Sequence, residues 1–176
     1  MSAIGIGHLG DVRKPCWSAV RTKLTFISRT RRSRFIVESL GGVRLMNRLR
    51  GQCMCRSVTY KVEDEFEYAL NCHCSDCRRA TGSAFKSLAG IKLEKLCLIE
   101  GQDITMIYGD DFAHDMHCGK CGSLLYSVVR EGKYAHVAMG TLVDSPSIRP
   151  SKHIFVSSKA PWFDITDDLP QHDDHG

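Results

Sequence analysis

The chain has 176 residues, of which 43% are hydrophobic and 25% charged, and its formal net charge is +4. This length suits one ordinary domain with an extension, and the composition is typical of a soluble globular protein. No apolar run approaches the roughly 20 residues that a membrane-spanning helix needs, so the sequence predicts no membrane partner.

The start of the chain differs in charge from the rest. Residues 1–50 hold eleven Lys/Arg and two acidic residues, whereas residues 51–176 hold thirteen and eighteen. We expect residues 1–47 to be a disordered basic leader. Three interpretations of it stay open: upstream sequence before a start at Met46, a transit peptide, or a basic arm for nucleic acid. The first residues do not resemble a secretory signal, so we expect a cytoplasmic protein with reduced cysteines.

From residue 51 onward, alternating apolar and polar residues predict short β-strands. The predicted strands cover residues 58–62, 66–70, 84–89, 97–99, 104–108, 124–129, 134–139 and 153–157. Only Ser75–Ala80 has a helical pattern, as a short turn that Gly82 would end. Strands of this length and spacing predict a mainly β fold of antiparallel sheets.

Seven of the nine cysteines lie in three tight groups. These groups are Cys53-x-Cys55, Cys72-x-Cys74-x-x-Cys77 and Cys118-x-x-Cys121. In a reducing compartment such pairs typically bind metal, with disulfides and an iron–sulfur cluster as the alternatives. Seven thiolates suit one zinc site closed by four sulfurs and a second with three. Because zinc with three protein ligands keeps a position for water or substrate, the odd number indicates an enzyme.

Spacing alone does not decide which sulfurs share an ion. Three sulfurs within residues 72–77 can converge locally, since residues three apart share a helix face. The turn at residues 118–121 supplies half of a tetrahedral site, which the pair at 53–55 can complete. Two alternatives stay open: one site with three spare cysteines, or two closed sites in which His73, His114 or His117 is the eighth ligand.

These motifs resemble, in order, those of a known family. They are Gly51-Gln-Cys53-Met-Cys55, Cys72-His-Cys74-Ser-Asp-Cys77-Arg78, Cys118-Gly-Lys-Cys121-Gly122-Ser123, Gly140-Thr141-Leu142, His153 and Pro161-Trp162. Over about residues 48–170 the chain is similar to the glutathione-dependent formaldehyde-activating enzyme family, also called the centromere-protein-V-type domain. The resemblance implies a zinc-stapled, tent-like single domain at 48–170, with a flexible tail at 171–176. Arg56 departs from the family, in which glycine is common at this position.

The resemblance also implies two Zn²⁺ ions with separate roles. Cys53, Cys55, Cys118 and Cys121 would hold a structural zinc, and Cys72, Cys74 and Cys77 a catalytic zinc. The activity it implies is that of a carbon–sulfur lyase. Glutathione, the co-substrate, adds reversibly to formaldehyde to give S-hydroxymethylglutathione, or a related thiol forms a similar adduct. The partners are then a small-molecule thiol and an aldehyde, with the oligomeric state left open.

Other residues are candidates for binding and proton transfer. Arg78, Arg79 and Lys86 are candidate anchors for the two glutathione carboxylates. His153 is a candidate catalytic proton carrier because imidazole titrates near neutral pH, or else a strand histidine with a backbone partner. Trp162 is interpreted as a core residue. The alternative function is a non-catalytic zinc-stapled interaction module that binds nucleic acid through the leader, which the acidic balance after residue 50 disfavours.

Overall fold

The computed structural model of the chain describes residues 47–175. The predicted leader, with its three interpretations, therefore lies outside the described residues except for Asn47. None of the helices in this described part has the length and apolar character needed to cross a bilayer.

Short strands make up most of the regular structure between residues 47 and 175. The strands are β1 (Arg48–Gln52), β2 (Thr59–Glu63), β3 (Tyr68–Cys72), β4 (Lys86–Lys92), β5 (Leu96–Glu100), β6 (Thr105–Gly109), β7 (His114–Cys118), β8 (Leu124–Val129), β9 (Tyr134–Ala138) and β10 (His153–Ile154). The α-helix α1 covers Ser75–Thr81, and one-turn 3₁₀ helices cover Leu93–Lys95, Gln102–Ile104, Met139–Thr141 and Val156–Ser158.

The strands form two sheets. The smaller sheet has the order β1-β2-β5, and the larger has the order β10-β3-β4-β9-β8-β7-β6. Within residues 47–175 each strand pairing is antiparallel, apart from the parallel pair of β10 with β3. The prediction of a mainly β fold with antiparallel sheets is therefore confirmed.

The sequence pattern misses β1 and β7 and makes β10 too long. In β7 only Met116 and Cys118 are buried, and in β1 only Leu49 and Gly51 are buried. Each strand thus has too few buried apolar residues for an alternating pattern to be recognised in the sequence. The strand β10 has two residues because Phe155 follows with φ +56°, which extended backbone does not permit.

The main core lies between the two sheets, since both contribute buried side chains. Its members include Leu49, Val58, Tyr60, Val62, Ile91, Leu125, Tyr126, Val128 and Val137, together with Cys53 and Cys118. Burying one such aliphatic or aromatic side chain contributes roughly 1.5–3 kcal/mol. Gly51 is needed here because an added Cβ would overlap the ring of Tyr60. The buried Tyr60 hydroxyl is satisfied by the hydroxyl of Thr141 at 2.7 Å.

A smaller cluster of Leu70, Cys72, Leu88 and Ile154 lies on the other face of the large sheet. Side chains alternate along a strand, so Leu88 faces away from Ile91 and the main core. The helix α1 contacts β4. The three-cysteine segment therefore lies against the smaller cluster, while the other cysteine groups belong to the main core.

The end of the described chain runs beside β10. His153 N donates to Pro170 O at 2.8 Å, His172 N donates to His153 O at 3.0 Å, and Phe155 N donates to Asp174 O at 3.1 Å. These bonds involve part of the segment predicted to be a flexible tail, and the domain bounds themselves stay predictions. The interpretation of Trp162 as a core residue is wrong: it is 71% exposed in a turn after Pro161 and makes an edge contact with Phe163.

Candidate metal centres and active site

Four cysteine sulfurs from distant parts of the chain meet beside the main core. The Sγ atoms of Cys53, Cys55, Cys118 and Cys121 all lie within 4.8 Å of one another. Two of the separations are 3.5 Å, between Cys53 and Cys55, and 3.8 Å, between Cys55 and Cys118. These exceed the roughly 2.05 Å of a disulfide, and all four cysteines are free. We name this group the four-cysteine cluster.

Two tight turns present these sulfurs. In the first, Arg56 N donates to Cys53 O at 3.0 Å, and Val58 N donates to Cys53 Sγ at 3.3 Å. In the second, Gly122 N donates to Cys118 O at 2.8 Å, and Gly122 has φ +77°, which favours glycine. The amide of Met54 in the first turn donates to the Ser123 hydroxyl after the second, at 3.1 Å. The turns are thus held together independently of any ion.

The remaining three cysteines form a second group, the three-cysteine cluster. The Sγ atoms of Cys72, Cys74 and Cys77 also lie within 4.8 Å of one another, and all three thiols are free. Cys72 ends β3, Cys74 is the N-cap of α1, and Cys77 lies in its first turn. The Cys77 amide donates to Cys74 Sγ at 3.3 Å, which fixes the start of the helix. Local backbone geometry therefore gathers the sulfurs, as the spacing predicts.

Among the described residues, no imidazole or carboxylate joins either cluster. The three histidines considered as an eighth ligand have other contacts. His73 Nε2 lies 2.7 Å from His153 Nδ1, His114 Nδ1 lies 2.8 Å from Asp110 O, and His117 Nδ1 lies 3.2 Å from Gly122 O. The geometry thus favours groups of four and three over two closed sites. The role of the seven cysteines as ligands stays a prediction.

A hydrogen bond between the thiols of Cys72 and Cys77 shifts their pKa values in opposite directions. It lowers the pKa of the Cys72 thiol and, together with burial, raises the pKa of the Cys77 thiol. The positive charge of Lys86 acts against the rise at Cys77. A metal ion that binds thiolates displaces the thiol protons, so two adjacent thiols are chemically suited to a metal.

His73 and His153 form a buried chain that ends at Asp167. Besides the contact with His73, His153 Nε2 lies 3.1 Å from both carboxylate oxygens of Asp167. Because a carboxylate only accepts, His153 donates from Nε2 to Asp167. Burial lowers the pKa of His73, and the His153 charge lowers it further. The ring nitrogens of His153 therefore face His73 and Asp167 rather than a sulfur.

The three predicted anchors lie in different surroundings. Lys86 is only 5% exposed, and its Nζ donates to Ser127 Oγ at 2.7 Å. Arg78 is partly buried, and its Nε donates to His73 O at 3.3 Å. The Arg79 side chain is 77% exposed and lies 4.0 Å from Asp76. Arg79 is thus accessible at the surface, whereas Lys86 lies beneath α1.

Two grooves flank α1. One of about 720 Å³ separates the helix from β6 and β7 and is lined by residues such as Arg79, Tyr108 and Ser127. The other, of about 510 Å³, lies between the end of the helix and the four-cysteine cluster. Its lining includes Lys86 and the hydroxyls of Thr81, Ser83, Ser87, Ser123 and Thr141, but no carboxylate.

The sequence analysis missed three polar residues on the face of the sheet under α1. They are Ser127, Tyr68 and His136, and the Tyr68 hydroxyl lies 2.7 Å from His136 Nε2. Burial, followed by the charges of Lys86 and Arg130, lowers the pKa of His136 to about 4, so its ring is neutral at neutral pH. These residues come together only through the pairing of β3, β4, β9 and β8, which local sequence does not reveal.

Two groups of soft thiol donors, one of four and one of three, can each hold a metal ion. The fold and the clusters together define a mainly β domain with two cysteine clusters that could hold metal ions. A family model described as "Glutathione-dependent formaldehyde-activating enzyme" matches residues 48–158, well over half of the chain. The chain therefore belongs to this family, which confirms the resemblance drawn from the motifs.

Individual relatives are more distant. A Schizosaccharomyces pombe protein described as an uncharacterized lyase is 28% identical over 83 residues, which cover 47% of this chain and 59% of that protein. The match thus spans less than two thirds of the relative. A crystal structure of a Rhodobacter sphaeroides protein superposes with a TM-score of 0.47 and 26% identity, over 57% of this chain and 91% of that one.

Proposed function

We propose that the chain is a zinc-dependent carbon–sulfur lyase. It forms and cleaves the adduct of glutathione with formaldehyde, S-hydroxymethylglutathione, or a related thiol adduct. The family description names this thiol and this aldehyde, and the S. pombe relative is described as a lyase. The observation that carries the proposal is the three-cysteine cluster, which has no fourth ligand atom among residues 47–175 and lies at the start of the helix that the two grooves flank.

In this proposal the seven cysteines hold two zinc ions. The four-cysteine cluster is the closed structural site, and Cys72, Cys74 and Cys77 form the catalytic one. Zinc with three protein ligands supplies a positive centre that favours the thiolate form of a bound thiol or polarises an aldehyde. The chain itself holds the three sulfurs in place through the helix cap at Cys74 and the bond from Arg78 to His73 O.

The accessible cation Arg79 is the proposed anchor for a glutathione carboxylate. It lines the larger groove on the outer side of α1, and its contact with Asp76 is long at 4.0 Å. A carboxylate held there would direct the thiol end of the tripeptide toward the helix start. Arg78, whose Nε bonds the backbone of His73, would position the cluster rather than the substrate.

Thiols add to formaldehyde in water without help, so the protein's main contribution is to position the reactants. The expected acceleration is therefore modest. A test must measure rates against the spontaneous background rather than the final yield. Comparing glutathione with other small thiols in the same assay tests whether the adduct is specifically that of glutathione.

The variant Cys74→Ser tests the proposal. Serine is a good N-cap, so the helix start is preserved while one thiolate is lost. We expect metal analysis to fall from about two zinc ions per chain to about one. Circular dichroism should be retained, and adduct turnover should fall to the background rate. Ser75→Ala, at the neighbouring position, is the matched control and should keep both metals and turnover. Full turnover in Cys74→Ser would contradict the proposal.

A further inference from the structure

Lys86 is a buried lysine whose described contacts include no acidic partner. Lys86 is 5% exposed and Ser127 is 6% exposed, and the 2.7 Å bond from Nζ to Oγ joins them. No Asp or Glu in the described chain forms an ion pair with this lysine. Burying an ammonium group is costly unless its charge is balanced, so such a lysine requires an explanation.

The position of this lysine points to the reaction site. Lys86 is the direct partner of Cys72 across β3 and β4, so the two side chains leave the same face of the sheet. Ser127 lines the larger groove and Lys86 lines the smaller one, so the pair lies under α1 between the two.

The pair also has unused hydrogen-bond donors. An ammonium group has three N–H donors, and within residues 47–175 Lys86 uses one of them, for Ser127. The hydroxyl of Ser127 accepts this bond and keeps its own O–H to donate. Two N–H groups and one O–H therefore remain for a ligand, on the face of the sheet that also carries Cys72. Donors of this kind can stabilise a developing oxyanion.

We propose that Lys86 and Ser127 bind the reacting oxygen of the substrate: the carbonyl oxygen of the aldehyde, which becomes the hydroxyl of the adduct. In the adduct this oxygen is two bonds from the sulfur, so it lies near any sulfur held at the three-cysteine cluster. The glutathione carboxylates are several bonds further away and would reach outward to Arg79. This inference rests on the proposed function and gives Lys86 a catalytic role instead of the predicted role of a carboxylate anchor.

The step balances without any further reactant. The sulfur electron pair of the thiolate forms the C–S bond, and the C=O π pair moves onto the oxygen. Lys86 and Ser127 stabilise the negative charge there through their donors. The proton that the thiol released returns to the oxygen through solvent, so thiol and aldehyde give the hydroxymethyl thioether. Cleavage runs through the same contacts in reverse.

The test compares Lys86→Met with Lys92→Met in the zinc-loaded full chain. Lys92 lies on the same strand and the same face but is exposed, so it is a matched control. We expect Lys86→Met to lower the part of the rate that exceeds the spontaneous background by about 10²-fold, for both adduct formation and cleavage. Zinc content and the Kd for glutathione alone, measured by calorimetry, should change less than about twofold. Lys92→Met should match the wild type in every measurement.

The other outcomes each have a definite meaning. A Kd for glutathione that weakens as much as the rate falls would show that Lys86 holds a carboxylate, and an unchanged rate would show that it has no role; either overturns the inference. If wild-type protein does not exceed the spontaneous rate, the proposed function itself fails, and the inference with it. Should Lys86→Met not fold, Ser127→Ala decides by the same measurements, with an expected loss of about tenfold for one donor.

Discussion

Arg56 has a backbone conformation that most residues avoid. Its φ is +62°, in the turn that joins Cys55 to β2, and its side chain is exposed. The amide of this residue closes the turn by donating to Cys53 O at 3.0 Å. The left-handed conformation gives a physical reason for the glycine that is common here in the family. The sequence departure is thus more than a change of surface charge, because the backbone is strained beside the four-cysteine cluster.

Replacing this residue by glycine should stabilise the protein. The left-handed conformation costs a non-glycine residue roughly 1–2 kcal/mol, and the extra freedom of glycine in the unfolded chain takes back about 0.5–1 kcal/mol. We expect Arg56→Gly to raise the free energy of unfolding by up to about 1 kcal/mol, measured by urea denaturation of zinc-loaded protein. Arg130→Gly is the control: Arg130 has φ +54°, but it packs over Tyr134 at 4.7 Å, so glycine there should give no gain. A less stable Arg56→Gly would contradict the argument.

At the scale of elements, β10 connects the three-cysteine segment to the end of the described chain. His73 N donates to Ile154 O at 3.0 Å, and the ring of His73 packs on His153 and Phe85. Nδ1 of His73 is buried with no hydrogen-bond partner among the described residues. The nearby backbone of Ala84 raises the pKa of the His73 ring, which opposes the larger effect of burial. This contact is not a complete hydrogen bond. The contacts of the His73 ring and its backbone bond to Ile154 therefore hold β10 against the segment that carries Cys72 and Cys74.

This arrangement gives His153 a positioning role. We expect His153→Ala to lower the free energy of unfolding by about 2–4 kcal/mol, because it leaves a cavity and removes the partner of buried His73 Nε2. Turnover per zinc-loaded, folded molecule should stay within a few-fold of the wild type, with an unchanged pH profile. Urea denaturation and rates normalised to zinc content measure both effects. A large loss of turnover at unchanged stability, with a shifted pH profile, would instead support the proton carrier that the sequence analysis considered.

At the scale of the whole molecule, local patterns predicted the elements better than their partners. The bounds predicted for β8 agree with the structure because its buried, largely apolar run ends at the turn that contains Gly132. The sulfurs of Cys72, Cys74 and Cys77 also come together locally, as their spacing allows, since one strand end and one helical turn place all three. By contrast, Ser127 reaches Lys86 across β9. Such a contact depends on strand order, which no local pattern contains.

The two cysteine clusters should differ in how much they stabilise the fold. Cys55 and Cys118 are 63 positions apart, and Cys53 and Cys118 belong to the main core. An ion there closes a long loop, whereas the three-cysteine cluster closes only a short one. We expect Cys118→Ser to lower the free energy of unfolding by about 3–5 kcal/mol and Cys77→Ser by about 1–2 kcal/mol, measured by urea denaturation with excess zinc. A strong chelator should destabilise the wild-type protein more than it destabilises the Cys118→Ser variant, because that variant has already lost its structural ion. Equal losses in the two variants would show that the four-cysteine cluster has no special structural role.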